Sequence, residues 1–555
     1  MDTEEGSRPD RQVALLMLAA FVLLFVPAWF SRGPWHVDDL RYVEAARQMG
    51  EYGDWLVPRL NGDVYGEKPP GYSWSVVAVK YATGTTYLVA ARIVSALAAL
   101  LTGLLLVHLA RVLFASRLTG WMAAGFLWTF VFVLDRGTRS LIDSFLYMWT
   151  TLGVVTLLHA ALAETWRARV AWIIATVGAL GYACLVKGPV GLVIPALGAL
   201  VLGLSWRGRR GVCFTAIGVG ALLGGLITLG WLLLAANQAG DWYLERLLFK
   251  QSAGRATQSF HHAEPIWFFL LVIPPVALPW IIFLPGAVRA AWRMRHTPAA
   301  RAALGVFAWA AVILLFFSII SGKRSGYVLP LFPPLALGIA WGVMRMQTTL
   351  AGKWLGWPVK FSVYAATGAG ALMCIGAVAL LTVDHKRLPL DASTVALNMD
   401  GFGAGVLFSA GLITLVWGAC IVSILRRRRQ AWAPALILLV PLIGVMHAGL
   451  HLSVIPAIEP LKSAAPFGEA VNRDWNRDER LVVLGGQKDG LVTYYCDIRR
   501  VENYRQEELA EIQGTLWVVS FRKDWERMPA DYRAGFQLRA TGEFNNKDYV
   551  FLHRP

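Results

Sequence analysis

Apolar positions fall in about thirteen runs, near 13–30, 87–114, 119–134, 144–163, 170–186, 189–205, 212–235, 266–288, 303–320, 326–345, 361–383, 403–425 and 431–455. Most approach the roughly twenty residues an α-helix needs to cross a bilayer core. They are continuously apolar rather than alternating with period two, which points to buried helices and not to strands. The pattern predicts an α-helical polytopic membrane protein of about thirteen spans. The runs 170–186 and 189–205 meet at "VKGPVG", a tight hairpin or one broken helix.

Two polar stretches interrupt this pattern. Between the first two runs lies an outer loop, 31–86, in which Leu40, Val43, Ala46 and Arg47 recur at helical spacing. They predict a juxtamembrane amphipathic helix lying along the interface. From about 458 to 555 the chain changes character. "RLVVLGG", "LVTYYC", "RRVENY", "TLWVVSF" and "KDYVFLHR" read as short strands, and "RQEELAEIQ" as helix. The expected organisation is a transmembrane domain over 1–457 and a small soluble α/β domain over 458–555.

Composition agrees. Of 555 residues, 56% are hydrophobic and 16% charged, and the mean hydropathy is +0.51. Soluble domains are about 25% charged. The net charge of +16 does not signal nucleic acid, because the arginines cluster in short connections between apolar runs. If the N-terminus is cytoplasmic, every cytoplasmic connection is basic, as at Arg207, Arg209 and Arg210 or the run Arg426–Arg429. The tail then lies on the outer side of the membrane. The five cysteines form no metal or disulfide spacing. The first run is too long for a signal h-region and no cleavage site follows, so it is read as an uncleaved span.

The outer connections carry mixed charges at helix ends. Asp38 and Asp39 follow the first span, where acids facing lipid would be costly; capping of the next helix is the simpler role. In "YGEKPPGYSW", Pro69 and Pro70 fix the backbone that presents Glu67 and Lys68. The lysine suits a phosphate, and the carboxylate suits a cation or the lysine. Arg255, His261 and His262 precede the run at 266–288, and Lys323, Arg324 and Tyr327 occupy a tight connection. Basic groups on the outer face call for a local anion, such as a lipid phosphate, or else snorkel to the headgroups. Asp143 and Lys187, with Arg136, Arg139 and Arg246, add to the same face.

These residues, in this order, resemble the GT-C glycosyltransferases that use polyprenyl-phosphate sugars, in particular bacterial aminoarabinose–lipid A transferases and the wider protein-mannosyltransferase-like group. The carrying stretches are "DDLRY", "GDWLVPRLNGDVYGEKPPGYSW", "KGPVG", "HHAEP" and "SGKRSGYVLPLFPPLAL". The resemblance implies catalytic acids at Asp38 and Asp39, and a donor-phosphate clamp of Lys68, Arg255, Lys323, Arg324 and Tyr327. It implies supporting roles for Asp143 and Lys187, and a divalent cation (Zn, Mg or Mn) on Glu67 and His262. The expected partners are an undecaprenyl-phosphate sugar donor, a lipid A or glycan acceptor and membrane lipids, but no nucleic acid, with the chain a monomer. Transfer of another hexose to a glycan or protein is the alternative within the class. A transporter of a lipid-linked intermediate is the alternative outside it, disfavoured because the charges gather at one boundary and no repeat relates two halves.

Overall fold

The computed structural model describes residues 7–204, 210–247, 264–347, 352–383, 395, 398–427, 431–485 and 489–555. Among them, 10 helices are long and apolar enough to cross a membrane, or up to 12 if each of two bent pairs is one span. The remaining run, 189–205, is a shorter apolar helix, Val190–Leu204. Several spans begin where the sequence supplies a hydroxyl. Thr86, Ser116, Thr165 and Thr297 each accept a hydrogen bond from the amide three residues on, at 3.2–3.3 Å, which satisfies a donor that the helix leaves unpaired.

The two bent pairs depart from the straight spans expected at 119–134 and 266–288. Phe268–Val276 and Trp280–Arg293 turn by 105° at their break. Pro274, Pro275 and Pro279 crowd that region, and each removes a backbone donor. Arg117–Thr129 and Val131–Gly137 turn by 70°, and the Val131 amide donates to the Leu278 carbonyl at 3.1 Å. The two breaks therefore meet and satisfy one another's backbone, as a low-dielectric setting requires. At "VKGPVG" the chain makes a hairpin. Gly188 has φ +76°, and a Cβ on Gly191 would lie 2.3 Å from the Ala183 carbonyl carbon, so Trp166–Lys187 and Val190–Leu204 pack with their backbones almost touching.

The outer loop forms the helix Val37–Tyr52, a small hairpin of β1 (Arg59–Leu60) and β2 (Asp63–Val64), and the helix Gly71–Thr83. The helix Val37–Tyr52 does not lie open along an interface. Leu40, Val43, Ala46 and Arg47 are all buried. Tyr42, Val43, Ala46 and Met49 pack on the outer ends of membrane helices, whereas Leu40 belongs to the core of the C-terminal region. The helix is sandwiched between the two.

After the last span come the helices Val454–Lys462 and Ala465–Asp474 and a five-stranded sheet. The strands are β3 (Leu481–Leu484), β4 (Glu502–Tyr504), β5 (Leu516–Phe521), β6 (Gln537–Phe544) and β7 (Lys547–Arg554), in the order β4-β3-β5-β7-β6. β3 runs parallel to β4 and β5, while β7 is antiparallel to β5 and β6. Two expectations change here. "LVTYYC" is a helix, Leu491–Tyr495, started by Asp489, whose carboxylate accepts from the Leu491 amide at 3.1 Å. The strand β6 was not expected.

Candidate active site

Asp38 and Asp39 open the helix Val37–Tyr52, yet the residue that caps it, His36, makes no side-chain cap bond, and each acid takes an arginine instead. Successive helical positions point about 100° apart, so the neighbours diverge. Asp38 is half-exposed and pairs with Arg41 at 3.1 Å. Asp39 is buried, and both of its oxygens accept from Arg139 Nε at 3.2 Å. Burial pulls the Arg139 guanidinium down, but Asp39 and Asp135 outweigh it and hold it above its ordinary value. The same balance raises Arg41, where burial is offset by Tyr65, Asp38 and Glu67. His36, by contrast, is pushed down by burial and then by Arg139.

Arg41 also reaches Glu67, at 4.0 Å, and Arg246 approaches the same carboxylate at 3.8 Å. Glu67 thus joins the helix that carries Asp38 to the "EKPPG" turn. That turn is seated on the helix Trp166–Lys187. Tyr182 donates to the Gly71 carbonyl at 2.9 Å, and a Cβ on Gly71 would lie 2.8 Å from the Leu185 carbonyl oxygen. Only glycine permits that approach, and it brings Glu67 and Lys68 beside Lys187.

Together they border a cavity of about 430 Å³, lined in part by Glu67, Lys68, Lys187 and Tyr327. Its other walls are apolar, including Leu229, Leu232, Phe316, Phe317 and Ile320. Lys187 is hydrogen-bonded to Asp143 and sits over the Tyr327 ring, 4.9 Å from its centroid. A Cβ on Gly326 would stand 3.2 Å from the Asp143 carboxylate, so the Lys323–Tyr327 connection closes over this pair. A mostly apolar cavity that also presents ammonium groups and a phenol has the chemistry to hold a lipid phosphate.

The comparisons with known proteins converge on one class. The profile of the family described as dolichyl-phosphate-mannose-protein mannosyltransferase matches residues 12–285. An undecaprenyl phosphate-alpha-4-amino-4-deoxy-L-arabinose arabinosyl transferase of Sodalis glossinidius is 29% identical over 429 residues, 76% of this chain and 72% of its own. One from Pectobacterium carotovorum is 28% identical, covering 73% of this chain and 72% of its own. In fold, the chain matches the crystal structure of ArnT from Cupriavidus metallidurans bound to undecaprenyl phosphate, with a TM-score of 0.71, 21% identity and coverage of 97% and 98%. The chain has the GT-C fold of that structure.

Within this GT-C fold the chain gathers only part of the expected constellation in one place. Glu67, Lys68, Lys187 and Tyr327 share the cavity, with Asp143 bonded to Lys187. Lys323 does not line the cavity, although its neighbour Gly322 does; it is buried and donates to the Glu264 backbone carbonyl at 2.7 Å, anchoring the segment that leads into the bent span. Arg324 is exposed. Arg255 and His262 lie outside the described residues. Among the described residues, no group of three or more His, Cys, Asp and Glu could hold a metal ion. Glu67, one of the two expected ligands, lies 4.0 and 3.8 Å from the Arg41 and Arg246 guanidinium groups, and the other, His262, is among the residues not described. Arg41 was missed from the sequence. Its signal was its position three residues after Asp38, one helical turn away on the same face.

Proposed function

We propose that the chain transfers 4-amino-4-deoxy-L-arabinose from its undecaprenyl phosphate ester to lipid A, on the outer side of the bacterial inner membrane, working as a monomer. The observation that carries this reading is the cavity, whose mostly apolar lining is joined by Lys68, Lys187 and Tyr327. Its apolar walls suit the polyprenyl chain and its ammonium groups suit the phosphate. The names of the Sodalis and Pectobacterium relatives support the sugar, and the charge bias of the connections supports the orientation.

In the reaction an acceptor oxygen bonds to the anomeric carbon as the bond from that carbon to the donor phosphate oxygen breaks. The electron pair leaves with the phosphate, which goes from a diester with one negative charge to a monoester with nearly two near neutral pH. Fixed ammonium groups therefore interact more strongly with the departing group than with the bound donor, which is the condition for catalysis. Lys68 and Lys187 take this role, with Tyr327 donating beside them and Asp143 holding Lys187 in place. Asp38 accepts the proton if the acceptor is a hydroxyl. If it is a lipid A phosphate, already ionised, Asp38 orients Arg41 or the sugar's ammonium group. A cation on Glu67 and His262 carries no step.

A hexose donor with a protein acceptor is the second reading, favoured by the description of the matching family profile. Mass spectrometry of envelope lipids and glycoproteins from a deletion strain separates the two. Loss of the aminoarabinose-bearing lipid A species is expected. Unchanged lipid A with loss of a protein-linked hexose would replace the proposal with the second reading.

A further inference from the structure

We propose that the C-terminal sheet region is a working part of the transfer site, setting the position of Asp38 relative to Lys68, with Arg47 and Thr493 as the positioning residues. The roles of Asp38 and Lys68 are those of the proposed function, on which this inference rests. The two groups stand on separate pieces of the outer loop, one on the helix Val37–Tyr52 and the other after the β1–β2 hairpin. A single stretch of the C-terminal region, 493–501, holds both.

On the helix, Arg47 is 4% exposed, and its guanidinium bridges acids of its own helix to the C-terminal region. It donates to Glu44 at 2.7 and 3.0 Å, to Glu51 at 2.6 Å and to Asp497 at 2.8 Å. It also donates to the carbonyls of Thr493 at 3.0 Å and Ile498 at 2.8 Å. Gln48, fully buried, adds a bond to the Arg499 carbonyl at 2.9 Å. On the hairpin, Thr493 Oγ1 donates to Asn61 Oδ1 at 3.1 Å, and the Val501 amide to the Asn61 carbonyl at 3.4 Å. Gly62 lies against Arg500, where a Cβ would come within 2.6 Å of the arginine's own.

Thr493 therefore reaches the helix with its carbonyl and the hairpin with its hydroxyl. Apolar packing alone would attach the region to the loop without fixing register. A buried polar network tolerates only the arrangement in which its members are paired, and the planar guanidinium fork enforces angles as well as distances. Such a network is costly merely to tether two surfaces. It suits a joint that must hold two reacting groups to within a fraction of an ångström.

The test uses full-length protein in lipid nanodiscs, comparing Thr493→Val, which removes the hydroxyl, with Thr493→Ser, which keeps it. Turnover with undecaprenyl phosphate aminoarabinose and lipid A, binding of undecaprenyl phosphate, and hydrogen exchange over residues 37–68 are measured. Thr493→Val is expected to lower kcat roughly 10- to 100-fold, as a small misplacement of reacting groups does. Binding of undecaprenyl phosphate, still held by Lys187 and Tyr327, weakens far less than kcat falls, exchange over 37–68 quickens, and Thr493→Ser restores all three. Wild-type kcat in Thr493→Val, or an equal loss in Thr493→Ser, overturns the inference. If the wild-type protein turns over no such donor, the proposed function fails by itself. The exchange comparison then decides alone, and unaltered protection of 37–68 in Thr493→Val overturns the joint.

Discussion

Asp38 and Asp39 are adjacent in the chain and part company in space. From sequence both read as catalytic acids, because nothing in one dimension separates them. The helix does so, sending Asp38 to a half-exposed pair with Arg41 and Asp39 to a buried pair with Arg139. Their variants should differ in kind. Asp38→Asn is expected to cut turnover by a factor of about 10² or more while leaving the thermal unfolding temperature in detergent unchanged. Asp39→Asn strands a buried guanidinium and should cost about 3 kcal/mol of stability, the lower end of what breaking such a pair costs, because Asp135 remains near. Turnover per folded molecule then stays close to wild type. The lysines teach the complementary lesson. Lys323 reads as a phosphate ligand but binds a carbonyl, whereas Lys187, read as supporting, lines the cavity. Lys187→Met is expected to weaken binding of undecaprenyl phosphate about tenfold or more, as loss of a charge-assisted contact of roughly 1.5–3 kcal/mol implies; Lys323→Met should leave it unchanged. Equilibrium binding in nanodiscs distinguishes the two.

At the scale of elements, the apolar runs were legible nearly end to end, since each span is written as a continuous stretch of about the right length. The bends were not, although Pro274, Pro275 and Pro279 announce one of them. Where a broken helix turns depends on the partner that takes up its freed backbone groups, here the break at Phe130 and Val131, and that partner is remote in sequence. The missed strand β6 had a visible sign. Asn545 and Asn546, both with positive φ, form the two-residue turn into β7 that favours asparagine. Close helix packing yields a sharp prediction. Gly71→Ala and Gly191→Ala each drive a methyl into carbonyl groups that cannot retreat and should destabilise by about 1–3 kcal/mol. Gly178→Ala, inside a helix with nothing within 4 Å, should be neutral or stabilise by roughly 0.5–1 kcal/mol. Thermal unfolding of the three variants in one detergent checks the contrast.

For the molecule as a whole, the chain order of charged groups proved informative because they gather at one end of the helical bundle. Glu67 and Lys187 stand more than a hundred positions apart, yet the seat of Gly71 on Leu185 brings them to one cavity. The joint between the outer loop and the C-terminal sheet was not legible. Arg47 reads in sequence as one more position on an amphipathic face, and its acceptors on the C-terminal side, at Thr493, Asp497 and Ile498, are mostly backbone carbonyls, which any sequence supplies. The orientation proposed from the charge bias predicts that single cysteines introduced at the half-exposed position 38 and the exposed position 324 both react with an impermeant thiol reagent added from the outer side.

Transfer by the purified protein tests the central claim most directly. Wild-type protein and the Asp38→Asn variant are reconstituted with undecaprenyl phosphate aminoarabinose and lipid A, and the lipid products are weighed by mass spectrometry. Wild type is expected to add the amino sugar to lipid A and release undecaprenyl phosphate in equal amount, with the variant nearly silent. No transfer by wild type, or undiminished transfer by the variant, would contradict the account.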